Sequence, residues 1–491
     1  MTRNWRDGPR IQDGLPERSA AAASDAVPAD ATVTVSGFGS VGYPKAVPLA
    51  LADSGRDLDL TIISGGSVGD EIDTALVEAD AIARRFPYQA RSSARERIND
   101  GRIAMHDRHI GGVSDEVQFE QLATPDLAIV EAVAVGEDWL VPSTSVGHTP
   151  AFVEQAEALL VEVNETQPRS LGAFHDIYRP AMPPAREPIP LTAPGDRIGR
   201  PVIEFDPDAL VGVVRTDRRD STYDFRSPTA ADRAIAANLR SFLESELRAN
   251  PVFADTLRLQ FGVGSLGNAL MAALGEADFG DRAVSYFGEV IQDGLLDLLA
   301  DGTLDVASAT SLALSASGQD RLFGDIEAFA EDVVLRPADL TNSGELISRL
   351  GVFGVNSALE VDVYGHVNST HLGGSSLVNG IGGSNDFNRN SAVSVVALPS
   401  TAAGGDVSRV VPMVPHVDHT EHDVSAIVTE RGLADLRGLS PRERADVIVE
   451  QCAHPDFRAD LQSYVERARD GGGHVPHDLS TSFSWTSDGR Q

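Results

Sequence analysis

Ala31–Gly42 reads ATVTVSGFGSVG, and Thr256–Gly267 reads TLRLQFGVGSLG. Each begins with an alternating run that predicts a strand, and each continues into G-x-G-S-x-G. The two stretches lie 225 residues apart. A second pair, Ile129–Gly136 (IVEAVAVG) and Ala358–Gly365 (ALEVDVYG), recurs at an offset of 229, with Glu and Gly in matching places. Two pieces repeating at nearly the same spacing predict a duplicated domain.

Working outward, Leu60–Ser64 and Leu127–Val135 are further strand candidates, while Ala46–Ala52 and Ile72–Arg85 have helical character. Strands that alternate with helices predict an α/β fold with a mainly parallel sheet. Six prolines between Pro180 and Pro194 interrupt this rhythm and read as a crossing loop. A helix is expected over Thr229–Arg248, where the rhythm resumes. The expected organisation is a flexible arm at 1–30, an α/β domain at 31–225, a second α/β domain at 226–470 and a loosely held tail at 471–491.

Composition restricts the function. The 491 residues hold 40 Lys plus Arg against 73 Asp plus Glu, a net charge of −33. That argues against nucleic acid and anionic membranes as partners, because both demand a basic face. Lys45 is the only lysine. Such acidity resembles the cytosolic proteins of salt-loving archaea, in which salt screens the self-repulsion. No window approaches the roughly 20 apolar residues of a membrane span. Met1–Asp30 lacks the apolar core of a signal peptide, so a cytoplasmic location is expected. Cys452 stands alone, which excludes an internal disulfide and a cysteine metal cage.

The glycine turns allow a ligand to approach backbone N–H groups at a helix start. A dinucleotide site also wants an acid about 20 residues on, at the end of the next strand. The first copy lacks it, since that strand ends in Ser64-Gly65-Gly66; the second offers Glu289 in SYFGEVIQD. Glu289 then has three readings: a solvated acid at a strand end, a holder of a ribose hydroxyl, or a nucleophile attacking an activated carbonyl. The residues alone leave these open. Asn379–Phe387 (NGIGGSNDF) exposes backbone N–H groups suited to phosphate or to a developing oxyanion. His416, His419 and His422 are three apart, but their Pro-flanked, acidic setting favours hydrogen bonding or pocket lining over metal.

Together the motifs resemble the acetyl-CoA hydrolase/transferase family of class I CoA-transferases over about residues 35–468. The resemblance is carried by PYQ at 87–89, VPSTSVG at 141–147, HDIYRP at 175–180 and FGVGSLGNA at 261–269. It continues through EVIQDGLLDLL at 289–299, ALEVDVYGHVNSTH at 358–371, NGIGGSNDF at 379–387 and VPMVPHVDHTEHDV at 411–424. It ends with VTERGLADLRGLSPRERA at 428–445 and CAHPDFR at 452–458.

The resemblance implies two tandem, structurally similar open α/β/α domains and a homodimer. It implies CoA transfer between a short-chain acyl-CoA (acetyl, propionyl or succinyl) and a carboxylic acid such as acetate or succinate. Glu289 would be the nucleophile and form a glutamyl-CoA thioester. Val263 and Gly383 would supply the oxyanion hole, and Asn342 and Glu430 would line the pocket. Gly262, Val263, Gly264, Ser265, Leu266, Leu359, Asn379 and Gly383 would contact CoA, which is a substrate; no permanently bound cofactor or metal is expected. Two positions depart from the family pattern: Ala403 stands where a CoA-supporting lysine is common, and Asn385 where glycine is usual. An acetyl-CoA hydrolase with the same nucleophile, a nicotinamide-dependent oxidoreductase and a non-enzymatic CoA-binding regulator are the competing readings.

Overall fold

The structure is a computed structural model that describes residues 5–89, 91–221, 226–262 and 264–483. By internal contacts the chain forms two compact units. One comprises residues 1–224 with 285–346, the other 225–284 with 347–491. A cut therefore falls beside the expected boundary at 225. The segment that carries Glu289, however, groups with the N-terminal residues, although the linear reading put it in the second domain.

The first unit contains a nine-stranded sheet. Its strands are β1 (Thr32–Val35), β2 (Leu60–Ser64), β3 (Ile82–Phe86), β4 (Ala104–Met105), β5 (Leu127–Val135), β6 (Trp139–Pro142), β7 (Ala158–Asn164), β8 (Ile203–Glu204) and β9 (Leu210–Thr216). The strands β4-β3-β2-β1-β5-β7-β9 run parallel; β6 pairs antiparallel with β5, and β8 pairs antiparallel with β6. Every residue of β5 is buried, as a central parallel strand covered on both faces requires.

The later strands are β10 (Thr256–Phe261), β11 (Ala283–Phe287), β12 (Val290–Ile291), β13 (Val306–Ala309), β14 (Ser311–Leu312), β15 (Val333–Leu335) and β16 (Phe353–Ser357). In the first unit, β11, β13 and β15 pair in parallel, and β12 pairs with β14. In the second, β10, β16, Val393–Ala397 and Ala426–Thr429 pair in parallel in that order, with Gly432–Asp435 antiparallel at the edge. The set β15-β13-β11 and the set beginning β10-β16 repeat the order β4-β3-β2 and β1-β5-β7-β9. This is the duplication that the repeated motifs predict.

The helix expected over Thr229–Arg248 is Ala230–Ala249. Thr229 and Asp232 form a reciprocal capping box at its start. Its buried Ile235, Leu239, Phe242, Leu243 and Leu247 recur at three- and four-residue steps.

Three expectations are corrected. Ile72–Arg85 is not one helix: short helices at Asp70–Asp73 and Ala75–Glu78 give way to β3. Asp80 there has φ of 53°, which ends the helical path. Nor are described residues 5–30 a free arm. Gln12 N–H donates to the Val135 carbonyl, and Ala23 and Val27 are fully buried in the core. The start of the tail is pinned as well, since the Tyr364 hydroxyl donates to the Pro476 carbonyl and the Tyr464 hydroxyl bonds His477 Nδ1 at 2.8 Å. Apolar residues too sparse to show a period still found places to bury.

Candidate active site

Strand β11 ends in buried Tyr286 and Phe287. A Cβ at Gly288 would lie 2.5 Å from the Tyr286 phenol oxygen, so the turn needs glycine. Glu289 follows, half-buried, just beyond the carboxyl end of a parallel strand, where ligand sites of α/β sheets form. Val290 then anchors the turn in an apolar cluster with Phe38, Val41, Ile110, Ala313 and Ala338. The backbone carbonyl of Glu289 accepts the N–H groups of Thr310 (2.9 Å) and Ser311 (3.1 Å).

The Glu289 side chain is also held. Asn342 Nδ2 donates to its Oε1 at 2.9 Å. The orientation of that amide is set by Thr341, whose hydroxyl donates to Asn342 Oδ1 at 3.0 Å. With the oxygen thus engaged, the amide presents its NH2 to the carboxylate. Burial, and secondarily the charge of Glu289, push the Tyr286 phenol well above its ordinary value. The buried Tyr286 phenol therefore stays neutral.

The two glycine turns differ physically. In the first, an added Cβ at Gly37 would meet Tyr43 Cβ at 2.7 Å, at Gly39 Val290 Cγ2 at 3.3 Å, and at Gly42 Ser145 Cβ at 2.6 Å. All three glycines have positive φ. They serve close packing. In the second, Gly262 and Gly264 have nothing within 4 Å of that position. Gly264 is the N-cap of helix Ser265–Leu274, and no side chain caps it. This is the open turn at which a ligand can reach backbone N–H groups. Only one of the twin motifs thus has the form of a binding turn, and the dinucleotide reading loses its first site.

Within the second unit, the parallel order of β10, β16, Val393–Ala397 and Ala426–Thr429 brings their carboxyl ends to one edge. Gly262, Gly264, Ser265, Leu266, Leu359, Ser400 and Glu430 all follow those ends. Leu359 is half-buried, and its N–H donates to the Asn368 carbonyl at 2.9 Å. Glu430 accepts the Ser400 N–H at 2.8 Å, the Ser400 hydroxyl, and Arg431 Nε at 3.1 Å. Burial alone would raise its pKa, but these donors hold the carboxyl below its usual value. The Asn379 side chain accepts the Gly380 N–H at 2.8 Å. Gly383 is the uncapped N-cap of Ser384–Asn390. Val263 lies outside the described residues.

Of the three histidines, His419 bonds Asn385 Nδ2 (3.1 Å) and Ser384 Oγ (3.2 Å), and His416 bonds Asp418 (3.2 Å). Asn385 thus spends its amide on His419 and, at 3.4 Å, on the Asp418 carbonyl. Among the described residues no three His, Cys, Asp or Glu side chains converge as metal ligands would. Ala403 sits at φ 48° before two glycines of positive φ, in a hairpin tip without a cation of its own.

Two functional-looking features escaped the sequence. Thr310 grips Glu289 through the backbone, and no motif marks it. Lys45 is wholly buried between Glu131 (2.5 Å) and Asp220 (2.9 Å). Its uniqueness was a compositional signal, but one without a place.

Comparison with known proteins gives two family matches. Residues 17–254 match the acetyl-CoA hydrolase/transferase N-terminal domain, and residues 318–465 match the C-terminal domain. The succinyl-CoA:acetate CoA-transferase of Clostridium kluyveri is 43% identical over 469 residues, covering 94% of this chain and 87% of that protein. An acetyl-CoA hydrolase of Eremothecium gossypii is 40% identical, covering 91% and 89%. In fold, the chain is similar to the crystal structure of RipA from Yersinia pestis, with a TM-score of 0.71, 21% identity, and coverage of 92% and 97%. No helix among the described residues is long and apolar enough to cross a membrane.

Proposed function

The chain belongs to the acetyl-CoA hydrolase/transferase family, and from that premise we propose that it moves CoA between a short-chain acyl-CoA and a free carboxylate, with Glu289 as the nucleophile. It is an enzyme of a family that holds both CoA-transferases and hydrolases. The observation that carries the proposal is the half-buried Glu289 carboxylate, oriented by the Asn342 amide at the end of a parallel strand.

Glu289 Oε attacks the acyl carbonyl and expels CoA thiolate, leaving a mixed acyl-glutamyl anhydride. The thiolate then attacks the glutamyl carbonyl and expels the first carboxylate, leaving a glutamyl-CoA thioester. An incoming carboxylate attacks that thioester, and the released thiolate takes the new acyl group and frees Glu289. Each addition places negative charge on a carbonyl oxygen. Amide donors aimed at such an oxygen are worth about 3–4 kcal/mol each. We assign that role to the N–H groups of Val263 and Gly383, on the family resemblance, and CoA contacts to Gly262–Leu266, Leu359 and Asn379. The open, uncapped turn at Gly264 supports the latter. Glu430, held ionised by Ser400 and Arg431, is assigned to the pocket wall. Water attacking the thioester in place of a carboxylate makes the same protein a hydrolase, so exclusion of water separates the two outcomes. Acetyl, propionyl and succinyl groups are the proposed cargo; we read the enzyme as a homodimer on the family resemblance and as cytoplasmic in a salt-adapted cell, the acidity supporting the salt adaptation.

Incubation with acetyl-CoA alone should add the mass of CoA, less water, to the wild-type chain and not to Glu289→Ala. Exchange into succinate should vanish in that variant while CoA still binds. Retained exchange in Glu289→Ala ends the proposal. Thiol release without any acceptor acid, at a rate matching exchange, selects the hydrolase.

A further inference from the structure

We propose that Thr310 is a positioning residue for Glu289, acting through a closed ring of hydrogen bonds. The proposal rests on the reading of Glu289 as nucleophile. The Glu289 carbonyl accepts the Thr310 N–H at 2.9 Å. Thr310 Oγ1 accepts the Gly147 N–H at 2.9 Å. The Gly147 carbonyl accepts the Ala338 N–H at 2.8 Å, and the Ala338 carbonyl accepts the Asn342 N–H at 2.9 Å. Asn342 Nδ2 then donates to Glu289 Oε1 at 2.9 Å, and the ring closes on the residue where it began. All five residues belong to the first unit.

The ring ties the backbone of Glu289 and the donor to its carboxylate to one side chain. Thr310 is fully buried. Its hydroxyl is engaged as donor and as acceptor: its proton goes to the Arg336 carbonyl at 2.7 Å while a lone pair takes the Gly147 N–H. Val146 N–H also donates to the Thr310 carbonyl at 2.9 Å, so the 146–147 segment is held at two points. The Ala338–Thr341 turn has no side-chain cap of its own. Its lateral position is set where the Ala338 N–H meets Gly147. Removing the hydroxyl releases Gly147 and, through it, the turn that presents Asn342. The carboxylate then loses its fixed direction of attack, while the surfaces that bind acyl-CoA are untouched. A misplacement of about 1 Å in a reacting group costs up to roughly a hundredfold in rate.

The test is the rate at which the CoA adduct forms in a single turnover with acetyl-CoA. Thr310→Val keeps the shape and removes the hydroxyl; adduct formation should slow roughly ten- to a hundredfold, with half-saturation by acetyl-CoA unchanged within about twofold. Thr310→Ser, which keeps the hydroxyl, should restore the wild-type rate. In an Asn342→Ala background, Thr310→Val should have little further effect, because the ring is already open. A folded Thr310→Val that forms adduct at the wild-type rate, or effects of the two substitutions that multiply independently, overturns the proposal. Where the valine variant does not fold, Thr310→Cys reads the same quantity with a poor donor of similar volume. A wild-type chain that forms no adduct overturns the nucleophile reading itself, which is a distinguishable result.

Discussion

Lys45 sits where a lysine is costly. It is fully buried, donates to Glu131, Asp220 and the Tyr43 carbonyl, and stands over the Tyr43 ring at 4.2 Å. Asn164, Gln167 and Thr144 complete the shell by donating to the same two carboxylates. Two acids and one cation leave the cluster short of positive charge. Burial pushes Glu131 up to about 7 even though Lys45 pulls it down. Lys45→Met would strand two carboxylates in the core, and removal of one buried partner typically costs about 3–5 kcal/mol. Denaturant unfolding should register a loss of that size. A loss under about 1 kcal/mol would mean that water reaches the cluster. The neighbouring Glu162 solves a different problem: it accepts the N–H groups of Lys45, Ala46 and Val47, and so caps a helix that has no side-chain cap of its own.

At the scale of elements, the twin glycine turns show how far a motif can be read. Both G-x-G-S-x-G motifs follow a strand, but the helix begins inside the second, at Ser265, and only past the end of the first, at Ala46. Which turn is open depends on the residues opposite, Tyr43, Ser145 and Val290 in the first and, among the described residues, none at Gly262 and Gly264 in the second, and no window of sequence contains those neighbours. The same holds at Glu289. Its strand end was legible from SYFGEVI, whereas Thr310, Gly147 and Asn342 come from three separate segments.

Another junction between elements carries a pH prediction. His366 Nδ1 meets Asp362 at 3.0 Å and Nε2 meets Glu421 at 2.9 Å, joining the turn after Glu360–Asp362 to the 416–422 loop. Burial lowers its pKa, but the two carboxylates outweigh burial and raise it. A histidine raised by folding stabilises fully below its unfolded value near 6.5, and that contribution is lost as pH rises through the folded value. His366→Gln should therefore lower the melting temperature more at pH 6 than at pH 8.5. An equal drop at both would show that the charge plays no part.

At the scale of the whole molecule, the net charge of −33 dominates. Self-repulsion of this size weakens a folded chain in dilute buffer, and a Debye length of about 3 Å at 1 M salt removes most of it. The melting temperature should climb by several degrees between about 0.1 M and 2 M NaCl. A flat response would show that self-repulsion among the unpaired acids is too weak to govern stability, local pairs such as Arg215 with Glu17 and Glu165 offsetting enough of it.

The α/β class, the internal repeat, the capped helix after Ser227-Pro228 and the acid at the end of β11 were set by local pattern, since strand alternation, capping chemistry and glycine turns act over a few residues. The packing of the N-terminal segment, the filling of the first glycine turn, the grouping of 285–346 with the N-terminal unit and the ring through Thr310 were decided only by tertiary structure. They depend on which distant side chains meet, and burial and hydrogen bonding reward such meetings whatever their separation along the chain.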